Sequence, residues 1–199
     1  MQTSGATTRD RIYVWDPLVR LFHWTVAGGV FLAFFTEDFR SFHKLVGYTV
    51  MAAVLVRLVW GLVGSRHARF ADFVKGPLEV LRYAGDVVRG REGRHLGHNP
   101  LGGVMVVALL TTLLVIGVSG WMMTLDMFWG EDWVEDLHGV AVDLLLFGLV
   151  PMHLAGVLFT SLRERTNLVK AMVTGFKEYG EAECSPGETG DGARAGGRA

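Results

Sequence analysis

Four long apolar segments are the feature of this sequence that most restricts its fold. Each is close to the length of roughly 20 residues that an α-helix needs to cross the hydrocarbon core of a bilayer. The predicted spans run approximately from Leu18 to Thr36, His43 to Gly64, Leu101 to Thr124 and Leu137 to Ser161. Because a helix satisfies its own backbone hydrogen bonds in lipid, we predict an all-α integral membrane protein, a four-helix transmembrane bundle.

The remaining segments flank this four-span domain, which we place at residues 18–161. We expect a cytoplasmic N-terminal segment at 1–17, a cytoplasmic amphipathic flank at 162–179 and a disordered, glycine-rich tail at 180–199. Between spans two and three, Pro77 and the following segment LEVLRYAGDVV predict a short interfacial helix on the membrane surface.

Charged residues are distributed unevenly among the loops. The connection 65–100 and both flanks of the domain are rich in Arg and Lys, whereas the loop LDMFWGEDWVEDL has five acidic residues and no basic ones. Because Lys and Arg near spans stay in the cytoplasm, we predict a multi-pass membrane protein with both termini cytoplasmic. The net charge of −1 leaves no basic stripe for a nucleic acid, so lipid is the expected surrounding.

Four histidines lie in or beside the apolar segments, and they are His23, His43, His138 and His153. An imidazole in hydrocarbon must be hydrogen-bonded, paired or bound to a metal. In an antiparallel bundle His43 and His138 each begin a span on the outer side, and His153 follows His138 by 15 residues, about 22 Å deeper. The sequence therefore predicts an outer pair, His43 with His138, and an inner pair, His23 with His153.

Two stacked pairs of imidazoles are the arrangement of axial ligands expected for two b-type haems in a helix bundle. Zinc fits less well, because the pairs are too far apart for one tetrahedral site and lack the cysteines or clustered carboxylates to complete two. Two alternatives stay open. The histidines are satisfied by hydrogen bonds without a metal, or they relay protons or ions in a transporter without haem.

Small residues near the histidines predict space for a macrocycle. Gly47 follows His43 by four residues and therefore lies on the same helix face, which makes it a candidate haem-binding residue. Further candidates of this kind are Ala27, Gly156, Gly117 and Gly120. Close helix packing in lipid is the alternative explanation for each of them.

Arg57 is a candidate for binding a haem propionate. It lies 14 residues after His43, about 21 Å deeper, and so reaches the level of the inner pair. A buried arginine needs a compensating anion, and a propionate has suitable geometry. The alternative is an arginine that extends to the cytoplasmic interface.

Other polar residues in the spans have less defined roles. Asp143 follows His138 by five residues and is interpreted as a group that orders a ligand, moves a proton or faces a partner protein, or else as a buried hydrogen-bonded acid. His98 and Asn99 precede Pro100, an arrangement typical of a helix start. Pro151 is expected to kink span four and so to orient His153.

Four stretches carry a resemblance to a known family, and they are WDPLVRLFHW, FHKLVGYTVMAAVLVRLVWG, GHNP and LHGVAVDLLLFGLVPMHLAGV. Together they resemble the bacterial and nickel-hydrogenase type cytochrome b561 family over about residues 15–161. The resemblance implies a four-helix cytochrome of the bacterial inner membrane with two non-covalent b haems. It also implies that their axial ligands match His23, His43, His138 and His153.

The family resemblance further implies electron transfer between membrane quinone and a hydrogenase, a cytochrome c or another redox subunit. We therefore expect a di-haem protein that relays electrons between the ubiquinone or menaquinone pool and a periplasmic partner such as a cytochrome c. Four spans, against five in the hydrogenase cytochromes, favour cytochrome c or quinone alone over a hydrogenase. A homodimer and a quinone- or superoxide-reactive oxidoreductase that acts alone stay open.

Overall fold

The computed structural model describes residues 10–65, 68–91 and 99–179. The predicted tail at 180–199, most of the N-terminal segment and His98 lie outside these ranges. In chain order the described elements are β1 (Asp10–Tyr13), α1 (Pro17–Phe35), α2 (Arg40–Val63), α3 (Phe70–Phe73), α4 (Pro77–Arg89), α5 (Pro100–Met122), a 3-10 turn (Asp126–Phe128), α6 (Asp132–Asp143), a π-helical turn (Leu144–Leu149), α7 (Val150–Arg163), α8 (Leu168–Thr174) and β2 (Phe176–Tyr179).

The four-span prediction is confirmed. Helices α1, α2 and α5 are each long and apolar enough to cross a membrane, and so is the continuous segment Asp132–Arg163, formed by α6, the π turn and α7. Their outward faces are apolar, with Leu62 and Phe147 each 73% exposed. These faces form the surface that lipid covers, because so much exposed apolar area is unfavourable in water.

Every span contributes to one apolar layer in the centre of the bundle. The buried cluster consists of Val26, Val54, Leu110, Leu113 and Leu145. Along the fourth span Leu145 lies between His138 and His153, and along α2 Val54 lies between His43 and Arg57. The layer therefore lies between the outer and the inner ends of the bundle.

Two spans begin with a side-chain cap followed by proline. Asp16 Oδ1 accepts a hydrogen bond from the Val19 amide at 2.9 Å, and Asn99 Oδ1 accepts one from the Gly102 amide at 2.7 Å. Such caps satisfy amides that have no partner in the first helical turn. The predicted start of span three at Asn99 and Pro100 is thus confirmed.

The helix predicted between spans two and three is α4. Leu78, Leu81 and Val88 lie on one of its faces and are 70%, 69% and 88% exposed. Helix α4 ends at Gly90, whose φ of +69° suits a residue without Cβ. This exposed apolar face is consistent with the predicted contact between α4 and the membrane surface.

The described ends of the chain form a two-stranded antiparallel sheet that the all-α prediction did not include. Strand β1 pairs with β2 so that Tyr13 lies opposite Phe176, and their rings are in edge contact at 5.2 Å between centroids. Lys177 forms an ion pair with Glu164 at 2.6 Å. The predicted amphipathic flank therefore contains a short helix, α8, that ends at Gly175 and continues as a strand.

Candidate functional site

The outer pair of histidines comes together between α2 and α6. His43 is in the first turn of α2 and His138 is in the middle of α6. Their ring centroids are 6.4 Å apart, and the ring planes are inclined by 68°. Both side chains are half-buried.

Hydrogen bonds fix one nitrogen of each outer imidazole. His43 Nδ1 lies 3.0 Å from the Ala33 carbonyl oxygen, which only accepts, so Nδ1 carries the proton and Nε2 is left with its lone pair. His138 Nδ1 lies 3.1 Å from Ser119 Oγ, while the Ser119 hydroxyl bonds to the Val115 carbonyl at 2.7 Å. Because the hydroxyl proton is directed at Val115, His138 Nδ1 donates to Ser119 and again leaves Nε2 free to bind a metal.

The inner pair has the same spacing but different surroundings. His23 on α1 and His153 on α7 have ring centroids 6.4 Å apart, with planes inclined by 49°. His23 Nδ1 is buried and has no hydrogen-bond partner within the described part of the chain. A buried polar nitrogen without a hydrogen-bond partner costs free energy in the protein alone. A bound group that contacts this ring would lower that cost.

The spacing of both pairs fits a shared metal ion. A metal–imidazole bond is about 2 Å long and the ring centre lies about 1.1 Å beyond the nitrogen, so two imidazoles on opposite sides of one ion have centroids about 6.2 Å apart. The observed separation is 6.4 Å in both pairs. Rotation about the common axis is free in such a site, so the two inclinations are both compatible with it.

The small residues differ in the space that they provide. A Cβ added at half-buried Gly47 would meet no atom within 4 Å, so there is open space beside His43 that a macrocycle could occupy. Gly156 and Ala27 lie on the exposed surface. An added Cβ at Gly117 would come within 2.5 Å of Met51 Sδ, and one at Gly120 would come within 3.1 Å of His138 Cε1. The glycines of α5 therefore accommodate these two side chains and do not provide open space.

Arg57 is buried near the α3 end of the bundle. It is 3% exposed, its Nη2 donates to the Ala68 carbonyl at 2.9 Å, and its guanidinium stacks on the Phe70 ring at 5.0 Å. Nη1 is buried and has no hydrogen-bond partner among the described residues. The guanidinium therefore bonds to the connection that follows α2, and the two N–H bonds of Nη1 have no partner among the described residues.

Asp143 does not contact the histidine that sequence spacing assigned to it. Its side chain is exposed on the fourth span, and the Nδ1 of His138 is bonded to Ser119. The interpretation of Asp143 as a buried hydrogen-bonded acid is wrong. Sequence reasoning did not identify Ser119 or the Ala33 carbonyl, because a serine in an apolar span has no signature that distinguishes it from a packing residue.

Half-buried imidazoles paired across a four-span bundle define the class of protein, a b-type membrane cytochrome. The chain belongs to the family described as prokaryotic cytochrome b561, whose model matches residues 14–175. This match covers all four spans and all four histidines. The protein is accordingly a multi-pass, haem b membrane protein of electron transfer.

Curated relatives align with the chain over most of their length. The chain is 20% identical to the probable Ni/Fe-hydrogenase B-type cytochrome subunit of Rhizobium leguminosarum bv. viciae, over 89% of this chain and 93% of the relative. It is 22% identical to the protein of the same name from Azotobacter vinelandii, over 84% of this chain and 89% of the relative. No solved structure matches the chain.

Proposed function

We propose that the protein binds two non-covalent b haems and carries electrons across the bacterial cytoplasmic membrane. The observation that carries this proposal is the pair of 6.4 Å separations, His43 with His138 and His23 with His153. Haem b supplies a one-electron iron couple at each pair. With both imidazoles of a pair bound to its haem, oxygen would find no free ligand position there, so the proposed role is electron transfer.

Arg57 and Gly47 are the other residues that we propose to contact haem. The buried Nη1 of Arg57 has no partner among the described residues, and a propionate oxygen would provide a charge-assisted one. Gly47 would leave room for the edge of the macrocycle beside His43.

The loop between spans three and four is the proposed contact for a periplasmic redox partner such as a cytochrome c. It contains Asp126 and Glu131 together with Trp129, which is 82% exposed. Acidic groups attract a basic partner over a Debye length, and exposed aromatic residues are enriched in protein contacts. The basic residues of the other side support cytoplasmic termini.

The membrane quinone pool is proposed to exchange electrons with the inner pair. The number of spans alone ranked a hydrogenase below cytochrome c as the redox partner. The relatives are named as hydrogenase cytochrome subunits, so we propose a hydrogenase as a second candidate partner. A complex with a redox subunit and a homodimer both agree with the exposed apolar faces of the spans. In each case the histidine pairs have the same role.

A reduced-minus-oxidised spectrum with a haem-to-protein ratio tests the proposal. We expect a b-type α band and two haems per chain, falling to one after either His43→Ala or His153→Ala. Asp143→Asn, an exposed polar change in the fourth span, should retain both. A protein without an α band would instead support a transporter, and two haems in either alanine variant would contradict the pairing.

A further inference from the structure

Ser119 is the only described polar side chain that is 0% exposed in the bundle and in contact with a candidate ligand. Its Oγ lies 2.7 Å from the Val115 carbonyl and 3.2 Å from the Ile116 carbonyl. The hydroxyl proton is therefore donated to the backbone of α5, and an oxygen lone pair of Ser119 is left to accept from His138. The adjacent Gly120 lets the ring approach, because an added Cβ would lie 3.1 Å from Cε1.

The two histidine pairs therefore differ in the hydrogen-bond partners of their Nδ1 atoms, the ring nitrogens that we do not propose to bind iron. In the outer pair, His43 donates to the Ala33 carbonyl, and His138 donates to Ser119 with the Ile116 carbonyl as a further acceptor nearby. In the inner pair, His23 Nδ1 has no partner among the described residues. The buried cation Arg57 is on the inner half of α2, at the end away from His43.

Resting on the proposed function, we infer that Ser119 is a positioning residue that keeps the outer haem at a lower midpoint potential than the inner one. A hydrogen bond donated from Nδ1 makes the imidazole more basic, and a more basic axial ligand stabilises ferric iron. The outer pair has two such bonds. In the inner pair, His23 Nδ1 has no such bond among the described residues.

This order of potentials gives electron transfer a direction. When the outer iron is oxidised by one electron and the inner iron is reduced by the same electron, the step is downhill. The electron crosses the apolar layer of Val26, Val54, Leu110, Leu113 and Leu145. Electrons would then reach the inner side of the bundle, where we propose exchange with the membrane quinone pool.

Redox titration of the purified two-haem protein tests the role of Ser119. In Ser119→Ala we expect the midpoint of the lower component to rise and the upper one to stay unchanged. Loss of one hydrogen bond corresponds to about a fivefold change in the ratio of reduced to oxidised haem, or about 41 mV at 59 mV per tenfold. Thr112→Val is the matched control, because Thr112 is a buried hydroxyl on the same helix, 8% exposed, and makes no hydrogen bond to any histidine of the described ranges.

The outer haem can be assigned by removing one of its ligands. In a His43→Ala background the remaining component should be the upper one, and adding Ser119→Ala should leave it unchanged. Gly120→Ala, which pushes the His138 ring, provides a second variant that should alter the lower component alone.

Several results would overturn the inference. They are equal shifts in Ser119→Ala and Thr112→Val, unchanged potentials in Ser119→Ala with both haems bound, and a lower component that survives His43→Ala. A wild-type protein with fewer than two haems would instead contradict the proposed function, so the two failures are distinguishable.

Discussion

Asp16 shows how a single carboxylate joins two spans. Its Oδ1 caps α1 through the Val19 amide, while Oδ2 accepts hydrogen bonds from Trp60 Nε1 at 3.1 Å and from the Ser65 hydroxyl. The start of α1 and the end of α2 are thereby fixed to each other on the side of the inner pair. Trp60 is thus a hydrogen-bond donor within the protein, in addition to its place near a span end.

The pKa of Asp16 makes this junction sensitive to acid. Burial alone raises the pKa of the carboxyl, but hydrogen bonds from Ser65, Val19 and Trp60 lower it by more, so it lies below its ordinary value. A group with a lowered folded-state pKa stabilises the protein above its unfolded pKa of about 3.9, and the effect is lost as pH falls through the folded pKa.

We expect Asp16→Ala to lower the unfolding free energy by about 1 kcal/mol, because it removes the cap of α1. Asp16→Asn retains a capping oxygen and should cost less. Thermal unfolding in detergent from pH 8 to pH 3 should show a constant difference between wild type and Asp16→Asn down to about pH 4 and a smaller one below. A difference that grows on acidification would contradict the assigned role of the carboxylate.

At the residue scale, the sequence predicted which histidines lie at the same depth better than it predicted their hydrogen-bond partners. Histidine depth follows from helix rise, so His23 with His153 and His43 with His138 could be matched by counting. The contact between Ser119 and His138 could not, because it depends on the rotation of α5 about its axis. Periodicity does not fix that rotation in a helix that is apolar on all sides.

At the scale of elements, adjacent glycines in α1 have different surroundings. An added Cβ at Gly28 would meet nothing within 4 Å, whereas one at Gly29 would lie 2.4 Å from Val50 Cγ2. Gly29 is therefore where α1 approaches α2 closely. Substitutions at Gly28 and Gly29 therefore separate the effect of helix propensity on stability from the effect of packing.

We expect Gly29→Ala to destabilise the protein by about 1–3 kcal/mol through overpacking against Val50. Gly28→Ala should be neutral or stabilising by up to about 1 kcal/mol, because alanine favours the helix. Thermal unfolding of both variants in the same detergent provides the measurement. Similar destabilisation by both changes would show that the α1–α2 contact does not depend on Gly29.

The π turn of span four was not predictable from the sequence pattern. Pro151 was expected to kink the span, and the structure places the irregularity in the preceding turn, Leu144–Leu149. Proline lacks an N–H group, and its ring clashes with the carbonyl four residues earlier, so a wider turn upstream relieves that clash. The turn lies between His138 and His153 and changes the angle between them from that of a regular helix.

At the scale of the whole molecule, β1 and β2 show that the two described chain ends meet. The register places Arg11 opposite Glu178. In a Cys184→Ser background, we expect Arg11→Cys with Glu178→Cys to form an intramolecular disulfide on mild oxidation. Mass spectrometry of proteolytic peptides would detect it, and Arg11→Cys with Val173→Cys, a residue of α8 outside the register, is the control. Equal cross-linking in both would exclude a fixed register.

The same sheet has a consequence for biosynthesis. Strand β1 leaves the ribosome before any span, and its partner β2 follows the last one, so the two can pair only after all four spans are inserted. A chain that inserts an odd number of spans would leave the strands on opposite sides of the membrane, where no hydrogen bond can join them. The sheet therefore cannot close on a molecule with an odd number of inserted spans, and its pairing is a late step of folding.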